Sequence, residues 1–250
     1  MSSGYGDELC NCGRSELISG SFKLLFTCKY AGAFAAALGA VFLVAGQAPV
    51  TAKPIVKTSF KSYSVPGTSA YALLSYMQRN GPHANGSRAL ATTAASFRYQ
   101  ADAHTSKGCK LKNFRVTTSF VITLPKATNR SKMPSRVRKR WGQFVKHARW
   151  HENRHKSIWI GCAKKIERAA GSMGTQKSCN AAWAKAQAIV KKQLARCDRL
   201  HATFDRRETA KASRIPLIAQ ALRAPKTRSR RVAIKKALKY SHSRANDDNR

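Results

Sequence analysis

Between Phe114 and Ala169 the spacing of apolar residues changes once, from every second position to every third or fourth. Phe114, Val116, Thr118, Phe120, Ile122 and Leu124 fall on one face of an extended strand, which Pro125 is expected to end. Beyond the basic stretch 126–134, a helical stripe begins at Val137 and runs through Trp141, Phe144, Ala148, His151 and His155 to Ala169. Gly171-Ser172-Met173-Gly174 breaks it, and a second helix from about Ser178 turns Trp183, Val190, Cys197 and Phe204 inward. Upstream, Ala95, Phe97, Tyr99 and Ala101 alternate with polar residues, and the turn at Ser106-Lys107-Gly108 joins them to the long strand. Lys53 to Val65 reads as a weaker strand, followed by a helix capped by Thr68 or Ser69 and ending at Asn80. Strands first and helices after predict an α+β fold. We expect a small antiparallel sheet with one short helix, followed by a long antiparallel helical hairpin that carries His151 to His155.

The N-terminal segment reads differently. Residues 31–52 hold no charged side chain, Lys23 and Lys29 precede them, and Val50-Thr51-Ala52 offers small residues at a cleavage site. Residues 1–52 are therefore expected to be a signal peptide, cut after Ala52, or an N-terminal membrane anchor formed by 31–52. Residues 53–224 form the expected domain, and the basic segment 225–250 a loosely ordered tail. Such a chain is exported, periplasmic or secreted, with anchoring to the inner membrane as the alternative. Four cysteines remain beyond the signal, Cys109, Cys162, Cys179 and Cys197, and an even number suits an oxidising compartment. The net charge is +36, from 47 Lys and Arg against 11 Asp and Glu. That charge attracts anionic partners: a cell-envelope polymer or a membrane surface. Export argues against an intracellular nucleic-acid partner, and the basic run has only Trp141, Phe144 and Trp150 for stacking on bases.

The chemistry concentrates in His151-Glu152-Asn153-Arg154-His155. Residues four apart on a helix point the same way, so both imidazoles can reach one zinc ion. Glu152 beside them can take a proton from a water that the metal activates. This is the H-E-x-x-H pattern, which composition alone would produce in this chain with a chance of about 0.4%. Both histidines lie on the apolar face, where an imidazole needs a partner. His147 extends that face by one turn. A third protein ligand is required. Asp198, His201, Asp205 and Glu208 form one stripe on the second helix. In a hairpin centred near residue 174, the level of Asn153 meets residues 195–199, which favours His201 over Asp205.

With these residues in place, the chain resembles the bacterial predicted secreted zinc-dependent proteases of domain-of-unknown-function family 922. The resemblance runs from about Tyr63 to about Leu222. It rests on Tyr63-Ser64-Val65-Pro66-Gly67-Thr68, Arg79-Asn80-Gly81-Pro82, Gly108-Cys109-Lys110-Leu111, Thr123-Leu124-Pro125, Trp141 with Phe144, His151-Glu152 with His155, and Phe204-Asp205. It implies an exported, zincin-like protein and favours Asp205 as third ligand. Many members have Gly before the second motif histidine, where this chain has Arg154, and a His-Gly pair soon after the position of Asp205, which is absent here. Cys109 and Cys179 both sit beside expected turns, and the family tends to have cysteines at these two places. We therefore expect a Cys109–Cys179 disulfide, with Cys162 and Cys197 as buried thiols.

Two functions are expected. The first is a zinc metallopeptidase acting on a peptide or protein substrate, with His151, His155 and Asp205 (or His201) holding Zn2+ and Glu152 as general base. The long strand would border its cleft and pair with extended substrate. The second is a catalytically inactive zincin scaffold that binds anionic envelope polymers or a membrane surface. Its basis is the run Lys126–Arg149, which has nine basic residues and no acid.

Overall fold

A computed structural model describes residues 25–29, 54–84 and 86–223. The fold is mixed α+β: a small sheet and, among the described residues, four α-helices. The sheet comprises β1 (Leu25–Lys29), β2 (Ile55–Val65), β5 (Thr92–His104) and β6 (Lys110–Ala127), in the order β1-β5-β6-β2. A two-stranded ribbon, β3 (His83–Ala84) with β4 (Ser87–Arg88), lies outside it. The antiparallel pairing of β5 with β6 is as expected, with Thr93 opposite Ile122 and Phe97 opposite Thr118.

The sheet is not purely antiparallel, however, because β2 runs parallel to β6 and β1 parallel to β5. The chain reverses through α1 (Ala70–Asn80) and again at the β5–β6 turn, so β6 returns in the direction of β2. The long strand therefore lies inside the sheet, paired on both edges, and cannot take an extended substrate as a further strand. Pro125 does not end it either: β6 continues to Ala127, with Pro125 opposite Tyr63 of β2. Leu25–Lys29 falls within the segment expected to be a signal or anchor. The apolar part of that segment, 31–52, and the tail from 225 lie outside the described residues. Among the described residues no helix is long and apolar enough to cross a membrane.

Helix α1 starts where Ser69 accepts from the Ala72 N–H, an N-cap that satisfies one free donor of the first turn. Helix α2 (Ser135–Gly171) carries the His151–His155 segment, and α3 (Cys179–Thr209) follows the seven-residue connection 172–178. Ser178 caps α3 by accepting from Ala181 N–H. The short α4 (Pro216–Arg223) closes one end, burying Leu217 and Ile218 against α1 and α2. Each such side chain contributes about 1.5–3 kcal/mol. Two cores result. One packs β5 and β6 against the later half of α2 and against α3, with Phe97 edge-on to Trp159 at 5.2 Å. The other gathers α1, α4 and the first half of α2 around Trp141 and Phe144.

Within the first core Glu167 is buried, and its Oε1 accepts from the Val116 N–H at 2.7 Å. At the start of β6, Cys109 exchanges two 2.8 Å backbone hydrogen bonds with Gln176 of the α2–α3 connection. Gly108 precedes it with φ +97, and a Cβ there would run into the Gln176 carbonyl. The expected Cys109–Cys179 disulfide forms beside this bridge.

The expectation for the other two cysteines is overturned: Cys162 of α2 and Cys197 of α3 are bonded to each other. The error lay in the register. Cys162 meets Cys197, His155 meets His201 and His151 meets Asp205, so the two helices pair about a midpoint near residue 178, not 174. The connection runs on past the break to Ser178 before α3 begins, and moving the midpoint by four residues shifts every level on α3 by about two turns. The two disulfides indicate an exported protein.

Candidate metal centre

The face of α2 turned to α3 carries His151 and His155, one turn apart. Their Nε2 atoms lie 3.0 Å from each other. Asp205 of α3 sends Oδ1 to within 3.3 Å of His151 Nε2 and 3.0 Å of His155 Nε2. Three ligand-type atoms thus form a triangle with edges of 3.0–3.3 Å. Zinc bonds of about 2.0–2.1 Å in a tetrahedral arrangement put ligand atoms about 3.3 Å apart, so the donor set fits the ion. Proton bookkeeping favours a cation as well. Each imidazole nitrogen carries one hydrogen or one lone pair, so His155 Nε2 cannot serve two partners at 3.0 Å through one proton. The Asp205 side chain keeps 47% exposure, against 14% for His155, so the cluster opens to solvent on the aspartate side.

His201 holds a different place from the one expected. Its Nδ1 lies 2.7 Å from Nδ1 of His155, on the side of the ring away from the cluster, and its own ring packs 4.3 Å from Trp159. Burial and the neighbouring His155 push its pKa down to about 4, so it is neutral at physiological pH. A neutral imidazole on the second nitrogen of a ligand fixes that ligand's tautomer and ring orientation. Asp205 is therefore the residue of the stripe that converges with the two motif histidines, among the described residues. Burial raises the Asp205 pKa, but hydrogen bonds from His151 and His155 outweigh it and hold the carboxylate well below its usual range. Burial lowers the pKa of His151, yet its bond to Asp205 and the charges of Glu152, Asp205 and Glu208 bring the net shift upward.

Glu152 is buried beside the cluster, only 4% exposed and within reach of the charges of His151, His155 and Asp205. Its Oε2 lies 2.8 Å from the hydroxyl of Thr93 on β5, which also lies 3.0 Å from the Glu152 carbonyl. Burial raises the Glu152 pKa, against His151, His155 and the Thr93 bond. Thr93 thus ties the sheet to the motif helix at the residue beside the cluster. The sequence reading missed it, although a signal was present. Thr93 shares the strand face of Ala95, Phe97 and Tyr99, and a polar residue in that apolar register asks for a buried partner. His147, one turn before His151, packs its ring at a tilt 5.3 Å from that of Trp150 and is not part of the triangle. Phe204, beside Asp205, packs its ring 4.8 Å from His151 and 5.1 Å from His155.

A family model described as "Bacterial protein of unknown function (DUF922)" matches residues 60–212. The chain belongs to this family. The matched stretch contains every residue of the centre, from Thr93 to Asp205, while the family's description names no activity. No curated protein and no solved structure matches the chain.

Proposed function

We propose that the protein is a zinc-dependent hydrolase of peptide bonds, built on the helix pair α2 and α3. The observation that carries this reading is the triangle of His151 Nε2, His155 Nε2 and Asp205 Oδ1, with Glu152 next to the first ligand in sequence and electrostatically coupled to all three. Two imidazoles and one carboxylate suit zinc and leave one coordination position for solvent or substrate. A zinc ion held there would polarise a carbonyl and bring the pKa of a water towards 7. Glu152 would take the proton of that water and pass it to the leaving amine. A carboxyl whose pKa burial has raised is suited to both halves of that transfer, because it holds a proton near neutral pH more readily than an exposed glutamate. Thr93 keeps the carboxylate oriented, and His201 holds the His155 ring.

Metal analysis of the purified protein tests this. One equivalent of zinc, lost in His151→Ala and in Asp205→Ala, is expected. Hydrolysis of an unstructured protein such as casein should vanish in Glu152→Gln while the zinc stays. Zinc content that does not respond to either ligand substitution overturns the reading.

A further inference from the structure

The outer face of α2 has a feature that the metal centre does not use. The helix carries eleven Lys and Arg and two acids, and both acids, Glu152 and Glu167, are buried. Every exposed charge along its 37 residues is therefore positive. Helical spacing puts Lys139, Lys146, Trp150, Ser157, Lys164 and Arg168 on one outward stripe about 44 Å long. Most large apolar side chains in the fold are buried, but Trp150 in the middle of this stripe is 50% exposed. Phe60 of the sheet's edge strand β2 is 54% exposed, and the Arg149 guanidinium lies 5.2 Å from the centre of its ring. One half-bare aromatic ring, from the sheet, thus lies against Arg149, and a second, from the helix, belongs to the next residue in the chain.

We propose that this face docks on a bilayer of anionic phospholipid, with Phe60 and Trp150 seated in the interfacial layer and Lys146 and Arg149 on the headgroups. Charge complementarity selects an anionic surface, because every exposed charge of α2 is a cation. The aromatics select a bilayer over a soluble polyanion. A soluble polyanion without bases gains little from exposed Phe and Trp rings, whereas aromatic and basic side chains together are what a helix lying on a membrane presents. Export puts the protein where the outer leaflet of a bacterial inner membrane is in reach. Docking would also place the centre. Trp150 immediately precedes His151, and its ring contacts Phe204, which packs on His151. The triangle of ligands would then stand close to the membrane plane, within reach of polypeptide segments that emerge from it. This inference does not rest on hydrolysis, and His151→Ala should leave it untouched.

The test uses protein purified from the periplasm and sedimented with vesicles of phosphatidylcholine, with and without phosphatidylglycerol. Binding that needs phosphatidylglycerol and weakens steeply as salt rises from about 0.05 to about 0.5 M is expected. Phe60→Ala with Trp150→Ala, and separately Lys146→Glu with Arg149→Glu, should each lower partitioning on the order of tenfold without moving the melting temperature. Wild type and variants have the same N-terminus, so any contribution from that end cancels. Vesicles should shift tryptophan emission to the blue in wild type and not in Trp150→Phe, although three other tryptophans remain. Equal binding to neutral vesicles, partitioning unchanged in the aromatic pair, or emission that vesicles do not move overturns the proposal. So does tight binding of inorganic polyphosphate that blocks vesicle binding and ignores the aromatic substitutions, since the face would then serve a soluble polyanion.

Discussion

Removing the Cys162–Cys197 disulfide should weaken both the fold and the metal centre, by separable amounts. The bond closes a loop of 35 residues between α2 and α3. The chain-entropy relation values such a loop at about 4 kcal/mol at 25 °C. At about 2–4 °C per kcal/mol for a domain of this size, Cys162→Ala with Cys197→Ala should lower the melting temperature by about 8–15 °C. Cys109→Ala with Cys179→Ala opens a 70-residue loop and should cost only a few tenths of a kcal/mol more. Metal affinity separates the two pairs. Cys162 lies two turns beyond His155, and Cys197 one turn before His201, so this bond sets the register that brings Asp205 level with His151. Loss of Cys162–Cys197 should therefore weaken zinc binding at least tenfold in a chelator competition at 20 °C, where the variant is still folded. Loss of Cys109–Cys179 should weaken it much less. A fall in melting temperature below about 3 °C would refute the entropic estimate. A large fall with unchanged zinc affinity would refute the claim that this bond sets the ligand register.

Replacing His201 with Phe keeps the packing on Trp159 but removes the partner of His155 Nδ1, and zinc affinity in the same competition should fall about 10–100-fold. Thr93→Val removes a bond to a charged group worth about 1.5–3 kcal/mol; kcat on casein should drop on the order of tenfold with KM unchanged, and Thr93→Ser should restore it. Burial holds the Glu167 carboxyl above its ordinary 4.5, against the Val116 N–H and Arg115. Its folded form binds the proton more readily than the unfolded form, so its stabilising contribution is present below about pH 4.5 and is lost as pH rises through the folded value. Glu167→Gln keeps the acceptor for Val116 and should raise the melting temperature at neutral pH, with the gain shrinking towards pH 4; a gain that grows on acidification would reverse the assigned sign.

The parts of the fold that were legible in the sequence are those with their own periodicity. The β5–β6 pair and the helices α1, α2 and α3 each bury one face, and that face repeats at 2 or 3.6. Strand β2 carries little such signal because ten of its eleven residues are exposed or half-exposed, so neither its direction nor its place at the edge could be read. His151, Glu152 and His155 are adjacent on one helix, and their convergence follows from local geometry alone. The third corner required the level of one helix against another. A residue count to the glycine break placed that level about two turns short, because the chain continues through its bridge to Cys109 before α3 starts. The same offset hid the Cys162–Cys197 bond and favoured His201. The strand face marks Thr93 as needing a buried partner, but that partner is 59 residues away and no local pattern names it.

The two disulfides interleave along the chain, each closing around one cysteine of the other: 109, 162, 179, 197. A single proteolytic cut anywhere between Cys109 and Cys197 therefore leaves two pieces that remain one covalent molecule. A cut between Cys162 and Cys179, which includes the connection 172–178, is spanned by both bonds at once. His151 and His155 would then sit on one piece and Asp205 on the other, still held in register by Cys162–Cys197. For a chain exported among proteases, the cluster would outlast the loss of backbone continuity and would come apart only under reduction.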